Sequence, residues 1–330
     1  MIRRRDALAL LGGLVVTACS GARRGMPVVP AGSPLGADPI VDLIPSAGLG
    51  WLVDVRPREL FESPTLGSAI AMIAPGDRVA AFERRFGGVD LHAATELAVA
   101  GFGRAALGLA RVPVDPASVN AAFVSRASVE GRTVEHGVTR LWGTVGDEPE
   151  QIAIFGRDGA AIERGPPGPL LAAIYFAEGK LKRSLPALKA EPLAAAAARV
   201  GEAPLRGFAP GPFEGQWAAG LGGLLRAATA IAVSLRPMQA RPGAAAFLTL
   251  VLLGAWGADA PGAEQRLRAA FNVFAEDPLG RLTGLNRPID GPRTSSDASA
   301  IKLDVVVDLV AVAAGLRDAT DATAADIMGR

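Results

Sequence analysis

The sequence predicts an α+β fold of two similar halves, each a mainly antiparallel, curved sheet packed with helices. Three observations predict it. Short runs with apolar residues at every second position mark strands, and most lie next to another such run, as hairpins do. Between them stand segments with apolar residues three and four apart, opened by Ser, Asp or Pro, as helices are. The order strand, helix, strand pair, capped helix, strand then occurs twice, over 40–200 and over 201–330. It is a repetition of pattern and not of residues.

In the first half, Trp51 to Val55 reads as a strand. Ser63-Pro64 is an N-cap followed by proline at the first helical position, with Leu66, Ala69, Ile70 and Ile73 on one face and Pro75 as the stop. A second helix follows Asp77, carrying Val79, Phe82 and Phe86. Glu96 to Phe102 and Ala106 to Val112 form two strands joined at Gly103. Asp115-Pro116 opens a helix with Val119, Ala122 and Phe123 inward. Thr133 to Val145 and Gln151 to Glu163 are expected to form one further hairpin, with Val134, Val138 and Trp142 partly lining a face. Pro169 starts a helix bearing Leu170, Leu171, Ile174, Tyr175 and Leu181, and an alanine-rich helix follows Pro192.

In the second half, Leu205 to Pro210 reads as a strand and Gln216 to Arg226 as a helix. Ala228 to Arg236 and Ala245 to Ala255 form a strand pair. Phe247 to Leu253 is apolar on both faces, so that strand should be central and covered twice. Asp259 and Pro261 begin a helix with Leu267, Phe271 and Phe274 inward. Glu276 to Ser299, rich in Gly and Pro, reads as a long loop, so a single strand follows where the first half has a hairpin. Ala300 to Asp308 alternates cleanly: Ile301, Leu303, Val305 and Val307 on one side, Lys302, Asp304 and Asp308 mostly on the other. A last helix spans about Leu309 to Thr320, with Asp308 as its cap.

Composition narrows the function classes. The net charge of +1 falls near −1 without residues 1–18, so no charge excess draws the chain to nucleic acid. Four Trp, one Tyr and twelve Phe are few, which disfavours sugar binding and base stacking. The run Trp217 to Leu235 carries Arg226 at its middle, and Ala244 to Trp256 is too short to cross a bilayer. Both read as buried elements of the folded body.

The N-terminus carries the strongest signal. Arg3-Arg4-Arg5 precedes an apolar run from Ala7 to Ala18, the shape of an export signal, and the run is shorter than the ~20 residues a spanning helix needs. It ends Val16-Thr17-Ala18-Cys19, which resembles the lipobox of bacterial lipoproteins. The resemblance implies diacylglyceryl attachment to the Cys19 sulfur, cleavage before it, and acylation (palmitate and its kin) of the new amino group. Each buried CH₂ of such chains contributes roughly 0.8 kcal/mol of membrane affinity. Cys19 is the only cysteine, which excludes disulfide scaffolds and cysteine-ligated metal. Arg4-Arg5-Asp6-Ala7-Leu8 also resembles a twin-arginine export signal, with Arg3 and Ala7 departing from the pattern; a basic leader for the general route is the alternative. Ser20 after the cysteine implies the outer membrane, facing the periplasm, where a cell has two membranes. The domain organisation expected is therefore signal peptide 1–18, lipidated cysteine and flexible Pro/Gly-rich tether 19–39, first half 40–200 and second half 201–330. The body resembles uncharacterised exported bacterial proteins built from duplicated α+β halves.

Catalytic signals are weaker than structural ones. Gly101-Phe102-Gly103-Arg104-Ala105-Ala106 matches a dinucleotide fingerprint in letters, but Pro113 would stop the required helix and no acid follows ~20 residues on; a hairpin turn explains the same residues. His92 and His136 lack neighbours at metal-ligand spacing. No Gly-x-Ser-x-Gly elbow is present. Arg281, Arg287 and Arg293, spread along the expected long loop, are the candidate contacts for a phosphate, a lipid headgroup or a partner. No catalytic residue, metal ligand or cofactor is assigned. The expectation is a non-enzymatic envelope lipoprotein that binds another envelope component, protein or lipid. A carrier of an apolar ligand and an enzyme of unrecognised chemistry are the alternatives.

Overall fold

The computed structural model describes residues 33–64, 66–181, 184–215, 217–238 and 245–328. The export signal, Arg4, Arg5 and Cys19 lie outside the described residues. The elements are β1 (Trp51–Val55), α1 (Pro57–Glu62), α2 (Gly67–Ile73), α3 (Gly76–Arg85), β2 (Glu96–Phe102), β3 (Ala105–Arg111), α4 (Pro116–Arg126), β4 (Ser128–Glu135), β5 (Val138–Val145), β6 (Glu148–Phe155), β7 (Gly159–Arg164), α5 (Pro169–Ala177), α6 (Leu193–Val200), β8 (Leu205–Pro210), β9 (Ala228–Pro237), β10 (Ala245–Gly254), α7 (Ala260–Glu276), α8 (Pro278–Leu282), β11 (Asp290–Ser296), β12 (Ala300–Asp308) and α9 (Leu309–Met328). Helices with antiparallel sheets make this an α+β fold. The chain forms two compact units: one from 33–59 with 76–190, the other from 60–75 with 191–328.

In the first unit the strands run β1-β2-β3-β7-β6-β5-β4, antiparallel throughout. Gly103 at φ +61° turns β2 into β3, so the Gly-x-Gly letters are a hairpin. Where one hairpin was expected over 133–163, there are four strands, β4 to β7. The breaks fall at His136-Gly137, Gly146 and Gly156, all at positive φ, where the chain must reverse. Val134 and Val138 therefore sit on different strands; Val138 is buried and Val134 is exposed. Every residue from Glu150 to Phe155 is buried, because helices cover both faces of β6. α4 packs on one face and α5 on the other, and each helix start has a chemical cause. Asp115 accepts the Ser118 N–H (3.1 Å) at the head of α4, which holds its carboxyl below the usual range, mainly through the Ser118 hydroxyl. α5 begins at Pro169.

Among the described residues, packed structure begins before the tether boundary at 39. Leu35 is buried, and the Arg111 guanidinium donates to the carbonyls of Gly36 (3.0 Å) and Asp38 (2.6 Å). One apolar side chain and two carbonyl acceptors outweigh the disorder that the Pro/Gly composition favours.

In the second unit the order is β8-β9-β10-β12-β11. β10 is central, as its apolar faces suggest, and α6 packs on it, but the expected double cover is incomplete: Phe247, Leu248 and Leu250 stay half-buried. α7 packs against β11 and β12, with Leu267 and Phe271 buried; Phe274, expected inward, is 37% exposed. Asp259 makes no side-chain cap to α7 and instead accepts from Arg266. The expected helix over 216–226 is broken: Gly220 is extended and Leu221, Gly222 and Gly223 take left-handed angles, which three glycines in four residues permit. The expected long loop over 276–299 is also corrected. Asp277 caps the Gly280 N–H (2.8 Å) to start α8, and Asp290–Ser296 pairs with β12 as an edge strand. Polar β11 has no apolar alternation to announce it; pairing with the strongly patterned β12 creates it. α9 begins where Asp308 accepts the Val310 N–H (2.9 Å), as expected, but runs to Met328 rather than Thr320. α2 lies against α9. Ser63 accepts the Leu66 N–H (3.2 Å) ahead of α2, while Leu66 and Ala69 are buried.

Candidate functional site

The most organised polar cluster in the second unit is a row crossing its sheet, buried from Arg206 to Thr249 and exposed at Arg293. Register places Arg206 beside Ser234, Ser234 beside Thr249, Thr249 beside Asp304, and Asp304 beside Arg293, one residue from each of the five strands. Side chains in register share a face, so the row is continuous. Ser234 and Thr249 are fully buried. The Thr249 hydroxyl donates to Asp304 (2.7 Å), and Lys302 Nζ lies 2.9 Å from the other Asp304 oxygen. The Ser234 hydroxyl is buried without a hydrogen-bond partner among the described residues.

Next to this row is a depression of about 100 Å³ lined by Arg199, Val251, Ser295, Ser296, Asp297, Ala300 and Lys302. α6 supplies Arg199, which reaches the turn between β11 and β12, where it pairs with Asp297 and donates to Ser299 (2.9 Å). The Asp297 carboxylate also accepts the Ser299 and Ala300 N–H groups (2.8 and 3.0 Å). The Arg199 guanidinium, and then the Ser299 backbone N–H, hold Asp297 far below the usual carboxylate range. Behind β11, Glu264 of α7 accepts from Thr294 and Ser296 (both 2.8 Å), which lowers its pKa, the Ser296 hydroxyl first. The charges are thus balanced locally, Arg199 by Asp297 and Lys302 by Asp304. Such a surface presents oriented donors and acceptors in a shallow, open place. It suits hydrogen bonding to a polar segment of a partner better than enclosing a substrate.

The three arginines chosen from sequence are not assembled. Arg281 on α8 pairs with Glu276 (3.1 Å), and Arg293 on β11 pairs with Asp290 (2.8 Å). Arg287 lies in the turn between α8 and β11, its N–H donating to Gly284 (3.1 Å). Arg293 reaches the polar row through its register with Asp304; the other two stay outside it. Arg199, Ser234 and Thr249 were missed. Their one sequence signal is a lone Ser and a lone Thr inside otherwise apolar strands, and only register reveals that they face each other.

The histidines have ordinary surroundings. His136 takes φ 49° in the β4–β5 turn, with Nδ1 3.1 Å from Glu178, which also faces Lys180 at 2.7 Å. The His92 N–H donates to Asp90 (2.8 Å). Among the described residues no three His, Cys, Asp or Glu side chains converge as metal ligands would.

No family model and no curated protein matches the chain. Among solved structures, crystal form III of TP0453 is similar, at a TM-score of 0.50 and 12% identity over 86% of this chain and 99% of that one. Crystal form I of the same protein gives 0.48 and 13% over 86% and 98%. At such identity the likeness of form III is one of fold: it supports the α+β architecture and carries no activity across.

Proposed function

We propose that this chain is an exported lipoprotein of the cell envelope, held at a membrane by acyl chains on Cys19, whose body is a non-enzymatic binding module. The observation that carries the reading is Val16-Thr17-Ala18-Cys19 directly after a basic, apolar leader. Two or three acyl chains exceed the marginal membrane binding of one. Ser20 favours the outer membrane, facing the periplasm, in a cell with two membranes. Among the described residues no helix is long and apolar enough to cross a membrane. The depression and the exposed β11 end of the polar row support contact with another envelope component rather than chemistry on a substrate.

Metabolic labelling with radioactive palmitate tests the anchor. The native chain takes up label and Cys19→Ala does not; label that persists in the variant overturns the lipoprotein reading. A photo-crosslinking residue at Ser295 tests the module: it should capture a discrete envelope protein in intact cells. Capture at the same level from a distant exposed site, such as Arg132, overturns the polar row as the contact.

A further inference from the structure

We propose that Arg85, Arg126 and Arg164 form an oxyanion site on the first unit, built for a phosphate-class anion. Two of the guanidiniums, Arg126 and Arg164, share one carboxylate, and Arg85 joins Arg126 over one aromatic ring. Glu150, whose side chain is 2% exposed, pairs with Arg126 through one oxygen and with Arg164 through the other (3.0 Å). Register sets the second pairing, because Glu150 stands directly opposite Arg164 across β6 and β7. The first pairing comes from the last residue of α4, which packs on that face.

Aromatic rings fix the cations further. The Arg126 guanidinium carbon lies 5.0 Å from the Phe86 ring centre and 5.1 Å from that of Phe123, and the Arg85 guanidinium lies 5.8 Å from the same Phe86 ring. Phe123 is fully buried, and Phe86 is itself packed on Phe82 at 4.4 Å. Two arginines therefore share one ring, and two share one carboxylate.

The charge does not balance. Among the described residues Arg85 has no carboxylate partner, so three positive charges face one negative. Arg126 shows the consequence. Burial, with the like charges of Arg85 and Arg164, lowers its pKa against the pull of Glu150. Its Nε–H is buried and lacks a hydrogen-bond partner. A surplus of cations beside a buried, unsatisfied donor favours the approach of something negative. Arginine forks presented from two helices and a strand match an anion with several oxygens pointing in different directions. Phosphate, free or esterified, has that geometry; a planar carboxylate offers two oxygens, and Glu150 already fills that part.

The test is a titration of the purified full chain with inorganic phosphate, at ionic strength held constant with chloride, read by thermal shift and calorimetry. Saturable binding is expected, weakened about tenfold or more in Arg85→Gln. Arg85 is exposed, so the melting temperature of that variant without phosphate should match the native chain. Arg132→Gln, an exposed arginine on β4, should bind as the native chain does. A parallel arm uses dihexanoyl phosphatidylglycerol against dihexanoyl phosphatidylcholine. Binding of the first and not the second, lost in Arg85→Gln, assigns the site to a lipid headgroup; saturable binding of phosphate alone assigns it to a soluble phosphate. Saturation by neither ligand, or equal binding by Arg85→Gln, overturns the proposal.

Discussion

The Glu163 carboxylate accepts the backbone N–H of Leu170 at 3.1 Å, seven residues further along, and so caps α5 from within the sheet that α5 covers. Its second oxygen accepts the Gly168 N–H (3.4 Å), and its register neighbour Gln151 is held by Arg140 (2.5 and 3.0 Å). The side chain is buried, and burial raises its pKa against the opposing backbone hydrogen bonds.

That shift fixes the sign of a pH effect. A carboxyl with a raised folded pKa stabilises the fold when protonated, below its unfolded value near 4.5, and the contribution is lost as pH rises through the folded pKa. Glu163→Gln keeps a carbonyl acceptor for α5 and removes the titration. Urea melts should show the variant gaining on the native chain as pH rises from 4 to 7. A constant difference across that range would mean that Glu163 does not titrate in this window.

Leu35 tests where the folded body begins. Leu35→Ala removes a buried side chain, and a cost near the lower end of the usual range, about 2 kcal/mol, is expected. An effect below about 0.5 kcal/mol in chemical denaturation would place the segment in the tether after all.

Thr249→Val probes the polar row at nearly constant volume. It deletes the hydroxyl donor to Asp304 in a fully buried position, and about 1–2 kcal/mol of stability should go with it. Asp304→Asn retains an acceptor for Thr249 and loses the charge that faces Lys302, so a smaller loss is expected by the same denaturation assay.

Gly315 lies where α9 crosses the end of α8. A Cβ there would overlap the Leu282 carbonyl, which is backbone and cannot swing aside. Gly315→Ala should therefore cost roughly 1–3 kcal/mol although alanine is the better helix former. Hydrogen exchange should quicken in α8 and α9; a stabilised variant would show that the two helices are not in close contact.

Export has its own check. Arg4→Lys with Arg5→Lys should block export by the twin-arginine route and leave the general route intact. Fractionation of cells expressing the variant reads the result directly.

What the residues determined alone was local and periodic. The alternation of Ile301, Leu303, Val305 and Val307 defined β12, Asp115-Pro116 defined the start of α4, and the two apolar faces of Phe247 to Leu253 put β10 at the centre of its sheet. These signals are legible because side-chain period and capping chemistry are properties of short stretches. Tertiary structure alone decided the rest. β11 is polar and becomes a strand through its partner β12, and three glycines break the helix read from the letters after Gln216. The polar row exists because register aligns Arg206, Ser234, Thr249, Asp304 and Arg293 from strands up to 98 residues apart. Arg126 and Arg164 meet at Glu150, with Arg85 beside Arg126 over Phe86, because a sheet pairing and two helix ends converge there. Convergence of side chains depends on long-range pairing, and no short window of sequence contains it.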